Sequence, residues 1–309
     1  METFLPWAIF SVFVIGALIA DLTLFGPDET GRVPMKTAAR MSGLWIGLAA
    51  LFAAGLGFVR GAEDGLTFLT GYLIELSLSV DNLFVFLLIF GYFGVSPAAQ
   101  RKALAFGIIG AVVFRLIFIV AGVALIERFH GVIYLFGAFL VYTGVKMIFH
   151  HEGESDPEKN VVMRLARRFL PVADADPARA DDRLFVRAGE RWFVTPLFVA
   201  VLMIETSDII FAVDSIPAIL AITLDPFIVY TSNIFAILGL RSLFFALAGV
   251  MDRFHLLHYA LAFILSFLGA KMLLSAWVHP PMWVTFAVIG VSLGVGVTAS
   301  LTTSPRPKT

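Results

Sequence analysis

The sequence predicts an all-α, polytopic membrane protein of about nine transmembrane helices with an inverted three-helix repeat. Three observations carry this. First, the 309 residues are 59% hydrophobic and 15% charged, with a mean hydropathy of +0.92, whereas a soluble chain of this length needs far more polar surface. Second, apolar windows of the length needed to cross a hydrocarbon core of ~30 Å recur along the whole chain. Third, lysine and arginine concentrate in alternate connections between those windows, as the positive-inside rule requires.

In order, the expected spans are 4–25, 41–59, 66–94, 102–126, 131–149, 193–221, 226–250, 256–277 and 282–302. The first contains Asp21, has no basic residue before it and reads as a retained span. One set of connections holds sixteen lysines and arginines, eight of them between 150 and 192; the other set holds only Arg60 and Arg128. The N-terminus is therefore expected outside, with the C-terminus and the 151–192 loop cytoplasmic, in a bacterial inner membrane. Within that loop, Val161, Val162, Leu165, Phe169 and Leu170 suit an amphipathic helix on the leaflet surface. Leu184 to Val194 suits a small hairpin. The loop could also hold protein partners.

The repeat is legible in charged residues at a near-constant offset. Asp81 aligns with Asp208 and Arg115 with Arg241. Arg128-Phe129-His130 aligns with Arg253-Phe254-His255, and Gly144-Val145-Lys146 with Gly269-Ala270-Lys271. Three spans per copy is an odd number, so the second copy enters the membrane from the opposite side, an architecture of many secondary transporters. The chain then divides into two N-terminal helices (1–60), a first repeat (61–150), the loop (151–192), a second repeat (193–278) and a last helix with its tail (279–309).

Each repeat opens on acids in apolar surroundings: Glu75 and Asp81, then Glu205, Asp208 and Asp214. Ionisable groups at that depth are costly and mark functional sites. Short oxygen donors accompany them, among them Asn82, Ser207 and Ser215. An all-oxygen acidic set fits a hard divalent cation such as Mn²⁺, Mg²⁺ or Ca²⁺, and Asp21 is a candidate path-lining acid. Cysteine is absent, which excludes disulfides, thiolate metal sites and thiol catalysis. Arg115, Arg241, Lys146 and Lys271 are candidates for charge balance or gating; the competing reading makes them partners in purely structural ion pairs. A straight helix cannot aim all five acids at one ion, since Glu205 and Asp214 fall on opposite faces. Either the two acid-bearing spans are broken or kinked near the acids, which Pro217 favours just below Asp214, or the carboxylates form successive stations along a path.

The motifs Glu75-x5-Asp81-Asn82 and Glu205-Thr-Ser-Asp208-Ile-Ile-Phe-Ala-Val-Asp214-Ser-Ile-Pro217 resemble those of the TerC/Alx family of integral membrane proteins. The resemblance extends over nearly the whole chain and implies Mn²⁺ efflux, with the intramembrane acids at the five positions named. The expected function is export of a divalent cation by alternating access, with proton exchange as its drive. Nothing indicates an enzyme, a resident cofactor, nucleic acid or a nucleotide, and no Gly-x-x-x-x-Gly-Lys loop is present. The alternatives are transport of Ca²⁺ or another cation, and a membrane scaffold that assists metallation or insertion of exported proteins.

Overall fold

The computed structural model describes residues 4–24, 33–129, 131–149, 183–188, 191–247, 256–277 and 280–303. Among them lie nine α-helices: α1 Phe4–Leu24, α2 Met35–Arg60, α3 Ala62–Tyr92, α4 Pro97–Arg128, α5 Val132–Phe149, α6 Pro196–Leu220, α7 Pro226–Leu247, α8 Leu257–Leu273 and α9 Met282–Thr302. Seven are long and apolar enough to cross a membrane, while α1 and α8 hold shorter apolar stretches, Leu5–Asp21 and Leu257–Leu273. The chain is an all-α polytopic membrane protein. The 161–170 amphipathic segment lies outside the described residues. The hairpin forms as expected: β1 Phe185–Ala188 pairs antiparallel with β2 Arg191–Val194, Phe185 opposite Val194.

Helix starts differ from the apolar windows for a simple reason. Helices α2 and α4 begin several residues before their windows, because Lys36, Arg40, Gln100 and Arg101 extend the helix into the polar boundary without adding hydropathy. The start of α4 is fixed by a cap: Ser96 accepts from the Ala99 N–H, with Pro97 at the first helical position. Thr195 and Pro196 repeat the device on α6, and the Thr195 hydroxyl also donates to the Arg183 carbonyl, tying the hairpin to the helix. Asp225 caps α7 by accepting from the N–H groups of Phe227 and Ile228. Such caps satisfy backbone donors that a helix start otherwise leaves orphaned.

The expected break is not there. Helices α3 and α6 are each uninterrupted, 31 and 25 residues long, and α6 continues through Pro217 to Leu220. Pro217 lacks the N–H that would bond the Val213 carbonyl, yet α6 stays helical on both sides of it.

Helix α7 is the axis of the bundle. Its residues Ile234 to Leu238 are all essentially buried, enclosed by α2, α3 and α4 with α1 alongside. A helix apolar all round must be covered all round, by lipid or by protein; here protein covers it. At one end, Trp7, Phe10, Phe52, Phe68, Phe227 and Phe235 form a continuous aromatic nest with ring centroids between 4.9 and 6.4 Å apart.

Packing between the two halves is reciprocal. Helix α3 lies on α7 as α6 lies on α4, and α5 lies on α8. At the last crossing a Cβ on Gly269 would meet the Gly137 carbonyl and Val141, while a Cβ on Gly144 would meet the Ala262 carbonyl and Ser266. Shifting each residue by 125, up for α5 and down for α8, turns one set of contacts into the other. A two-fold relation between halves would produce this exchange.

Candidate functional site

Where α3, α4, α6 and α7 meet, a single guanidinium gathers the charge. Arg115 on α4 is fully buried, at 0% exposure, and is among the largest side chains so enclosed. Its Nη1 donates to the Glu75 carboxylate of α3 and, at 2.6 Å, to Asn233 Oδ1 of α7. Its Nη2 donates to Asp208 Oδ1 of α6 at 3.1 Å. Four helices are thus joined at one residue. Charges removed from water at this depth cost several kcal/mol each unless paired and hydrogen-bonded, and one guanidinium against two carboxylates leaves a negative charge over.

A second node lies across α7. Arg241 donates to Asp21 Oδ2 at 2.6 Å and to the Asp21 backbone carbonyl at 3.2 Å, both residues being buried. This pair fastens α1 to the bundle. Between the nodes is a cavity of about 20 Å³ lined by Asp208 and Arg241 together with Phe86, Leu104, Ile108 and Ile237. That is room for one water-sized species.

Of the five predicted acids, the side chains of Glu75, Asp208 and Glu205 are described. Glu75 and Asp208 converge on Arg115. Glu205 turns instead toward α4, where its carboxylate fills the notch left by Gly110; a Cβ there would coincide with it. Glu205 is half-buried, and its Oε2 has no hydrogen-bond partner among the described residues. The side chains of Asp81 on α3 and Asp214 on α6 lie outside the described residues. Among the described residues, no three Asp, Glu or His side chains are grouped to hold a metal ion. Among the described acids the arrangement is a pair bridged by arginine, Glu75 and Asp208, with Glu205 one turn from Asp208 on α6 and seated against Gly110.

The remaining candidates separate. Asn82, Ser207 and Ser215 are buried. Lys146 is exposed at the end of α5, whereas Lys271 reaches Thr285 of α9 at 3.3 Å. Sequence reasoning missed Asn233, the neutral partner of Arg115, whose own Nδ2 is held by the Val229 carbonyl at 3.2 Å. A signal existed: Thr231-Ser232-Asn233 is a polar triplet inside an otherwise apolar span. It also missed the Arg60 network, in which Arg60 pairs with Asp64 at 2.9 Å and with Asp225, clamping the α2–α3 corner to the start of α7.

Apolar helices arranged around charges buried among four of them define a polytopic integral membrane protein. The chain belongs to the TerC family: the model described as the Integral membrane protein TerC family matches residues 60–308. It is 47% identical over 303 residues to an uncharacterized membrane protein of Myxococcus xanthus, STKORF319, covering 98% of this chain and 94% of that one. It is 46% identical over 293 residues to an Escherichia coli K12 protein named "Putative membrane-bound redox modulator Alx", covering 92% and 90%. The thylakoid membrane protein TERC of Arabidopsis thaliana is 41% identical over 276 residues, covering 89% of this chain and 70% of that one. No solved structure matches the chain.

Proposed function

We propose that this protein is a transporter that exports a divalent cation, Mn²⁺ by preference, from the cytoplasm by alternating access between two inverted three-helix halves. The observation that carries the reading is the Arg115 bridge. Glu75 and Asp208 come from the helices that open the two halves, and they are held together by a positive charge at the centre of the bundle. A guanidinium in that place does for the two carboxylates what a dehydrated cation would do: it neutralises them without water. Loading the ion then requires Arg115 to release at least one acid. The excess negative charge favours a cation over an anion, and oxygen donors favour a hard one. Mn²⁺ among the hard cations is what the family resemblance implies.

In this reading the N-terminus is outside and the 151–192 loop cytoplasmic, in an inner membrane, and no bond is made or broken in a substrate. A relative's name speaks of redox modulation. This chain has no cysteine, so its own route to redox balance would run through the metal it moves, not through thiols.

The test is ion-resolved flux in proteoliposomes with a pH probe in the lumen. The expected result is Mn²⁺ movement by the wild type, accompanied by counter-movement of protons and lost in Glu75→Gln and Asp208→Asn. Equal flux in wild type and Asp208→Asn, or none above protein-free vesicles, would overturn it. Deleting 155–185 separates the scaffold alternative, which requires that loop and dispenses with the acids.

A further inference from the structure

Helical serines and threonines ordinarily bond back to the carbonyl three or four residues earlier. In this protein Thr67, Thr70, Ser77, Thr206 and Thr231 do so, at 2.6 to 2.8 Å. Ser79 and Ser215 do not. They are 0% and 2% exposed, and neither hydroxyl has a hydrogen-bond partner among the described residues. A buried hydroxyl left unmatched is destabilising, because it has given up water without a replacement partner. Tyr72 and Trp45 also carry polar atoms with no partner among the described residues, but each buries a large ring that offsets the loss. A small residue lets helices pack closely, but alanine would do that without an unmatched hydroxyl. Ser77, two residues away on the same helix, makes its back-bond, so the backbone of α3 does not forbid it.

The register between α3 and α6 shows where the two hydroxyls lie. A Cβ on Gly71 would stand 2.5 Å from Ile219 Cδ1, so these positions are level. Were the helices parallel, that contact would separate Glu75 and Asp208 by about 22 Å along the axes at 1.5 Å per residue, and Arg115 could not bond both. Run antiparallel, the separation is about 10 Å, which the three side chains span. One turn from the Gly71–Ile219 contact, Ser215 is therefore level with Glu75. Ser79 lies one turn further, on the stripe Gly71–Glu75–Ser79, between the levels of Glu75 and Asp208.

We propose that Ser79 and Ser215 supply two neutral hydroxyl oxygens, beside the Glu75 and Asp208 carboxylates, as ligands for the transported divalent cation. The inference rests on the cation-transport reading and adds to it the source of the ion's uncharged donors. Two carboxylates and two hydroxyls form an oxygen-only set suited to a hard cation. The hydroxyls raise the ligand number without adding negative charge that Arg115 would have to balance when the ion leaves.

The experiment measures Mn²⁺ binding by calorimetry to the purified full-length protein, beside its thermal stability in the absence of metal. Ser79→Ala and Ser215→Ala are each expected to weaken Mn²⁺ binding about tenfold while leaving the unfolding temperature unchanged or raised, because no hydrogen bond is lost. Ser79→Cys introduces the only cysteine in the chain and should raise Cd²⁺ affinity relative to Mn²⁺ about tenfold or more, since thiolate is a soft donor. Unchanged Mn²⁺ affinity in the double alanine variant, with binding abolished by Asp208→Asn, would overturn the proposal and leave the transport reading standing. A lowered unfolding temperature in the alanine variants would mark the hydroxyls as structural and also overturn it. Failure of the wild type to bind Mn²⁺, Mg²⁺ or Ca²⁺ would overturn the transport reading itself, and the proposal with it.

Discussion

Gly269 of α8 stands so close to Gly137 of α5 that a methyl group on it would lie 2.5 Å from the Gly137 carbonyl oxygen. Its counterpart Gly144 stands in the same relation to Ala262, at 2.6 Å. Helices lacking a hydrophobic drive to associate in lipid rely on such small residues for close packing. Gly269→Ala and Gly144→Ala should each destabilise the protein by about 1–3 kcal/mol through overpacking, read as a lowered unfolding midpoint in detergent. Gly290→Ala, with nothing within 4 Å of its Cβ position, should be neutral or stabilising, because alanine is the better helix former by about 1 kcal/mol.

Arg115→Met should cost about 3–5 kcal/mol, because it leaves two buried carboxylates without their cation. The triple variant Arg115→Met, Glu75→Gln, Asp208→Asn should regain most of that stability without regaining ion flux. Thermal unfolding and proteoliposome flux on the same preparations check both halves of the statement. Recovery of flux in the triple variant would show that the node is structural only.

Gly110→Ala should displace the Glu205 carboxylate from its notch on α4, since the added Cβ takes the carboxylate's position. The expected outcome is an overpacking loss of about 1–3 kcal/mol, removed when Glu205→Ala is combined with it. A double-mutant cycle in unfolding free energy measures the coupling. Additive effects would mean that Glu205 does not occupy the notch.

Asp21→Asn should loosen α1, because Arg241 loses its only ion-pair partner among the described residues. Breaking a buried pair of this kind costs about 3–5 kcal/mol. Exchanging the charges, Asp21→Arg with Arg241→Asp, should restore part of it. Limited proteolysis of the segment between α1 and α2 provides the readout, with faster cleavage expected in the single variant only.

The membrane class, the helices and the acid-bearing stretches were legible in the sequence, because hydropathy and charge are properties of single residues and local windows. Helix ends were less so: Lys36 and Arg101 carry no apolar signal, yet continue their helices. The site was legible as residue types and not as an arrangement. Glu205 and Asp208 share a face of α6 by periodicity, but only packing puts one on the Gly110 notch and the other on Arg115. The pairing of Asp21 with Arg241 joins residues 220 positions apart, and no local pattern carries that.

What the sequence determined by itself was that charges must lie inside the bilayer, since nine apolar segments leave the acids nowhere else to go. Which charge meets which was decided by tertiary structure alone. At ~1.5 Å of rise per residue, the antiparallel register of α3 against α6 brings Glu75 and Asp208 within reach of one guanidinium. The glycines of α4 and α8 then set how near the helices come, because a missing Cβ is felt only by the helix packed against it.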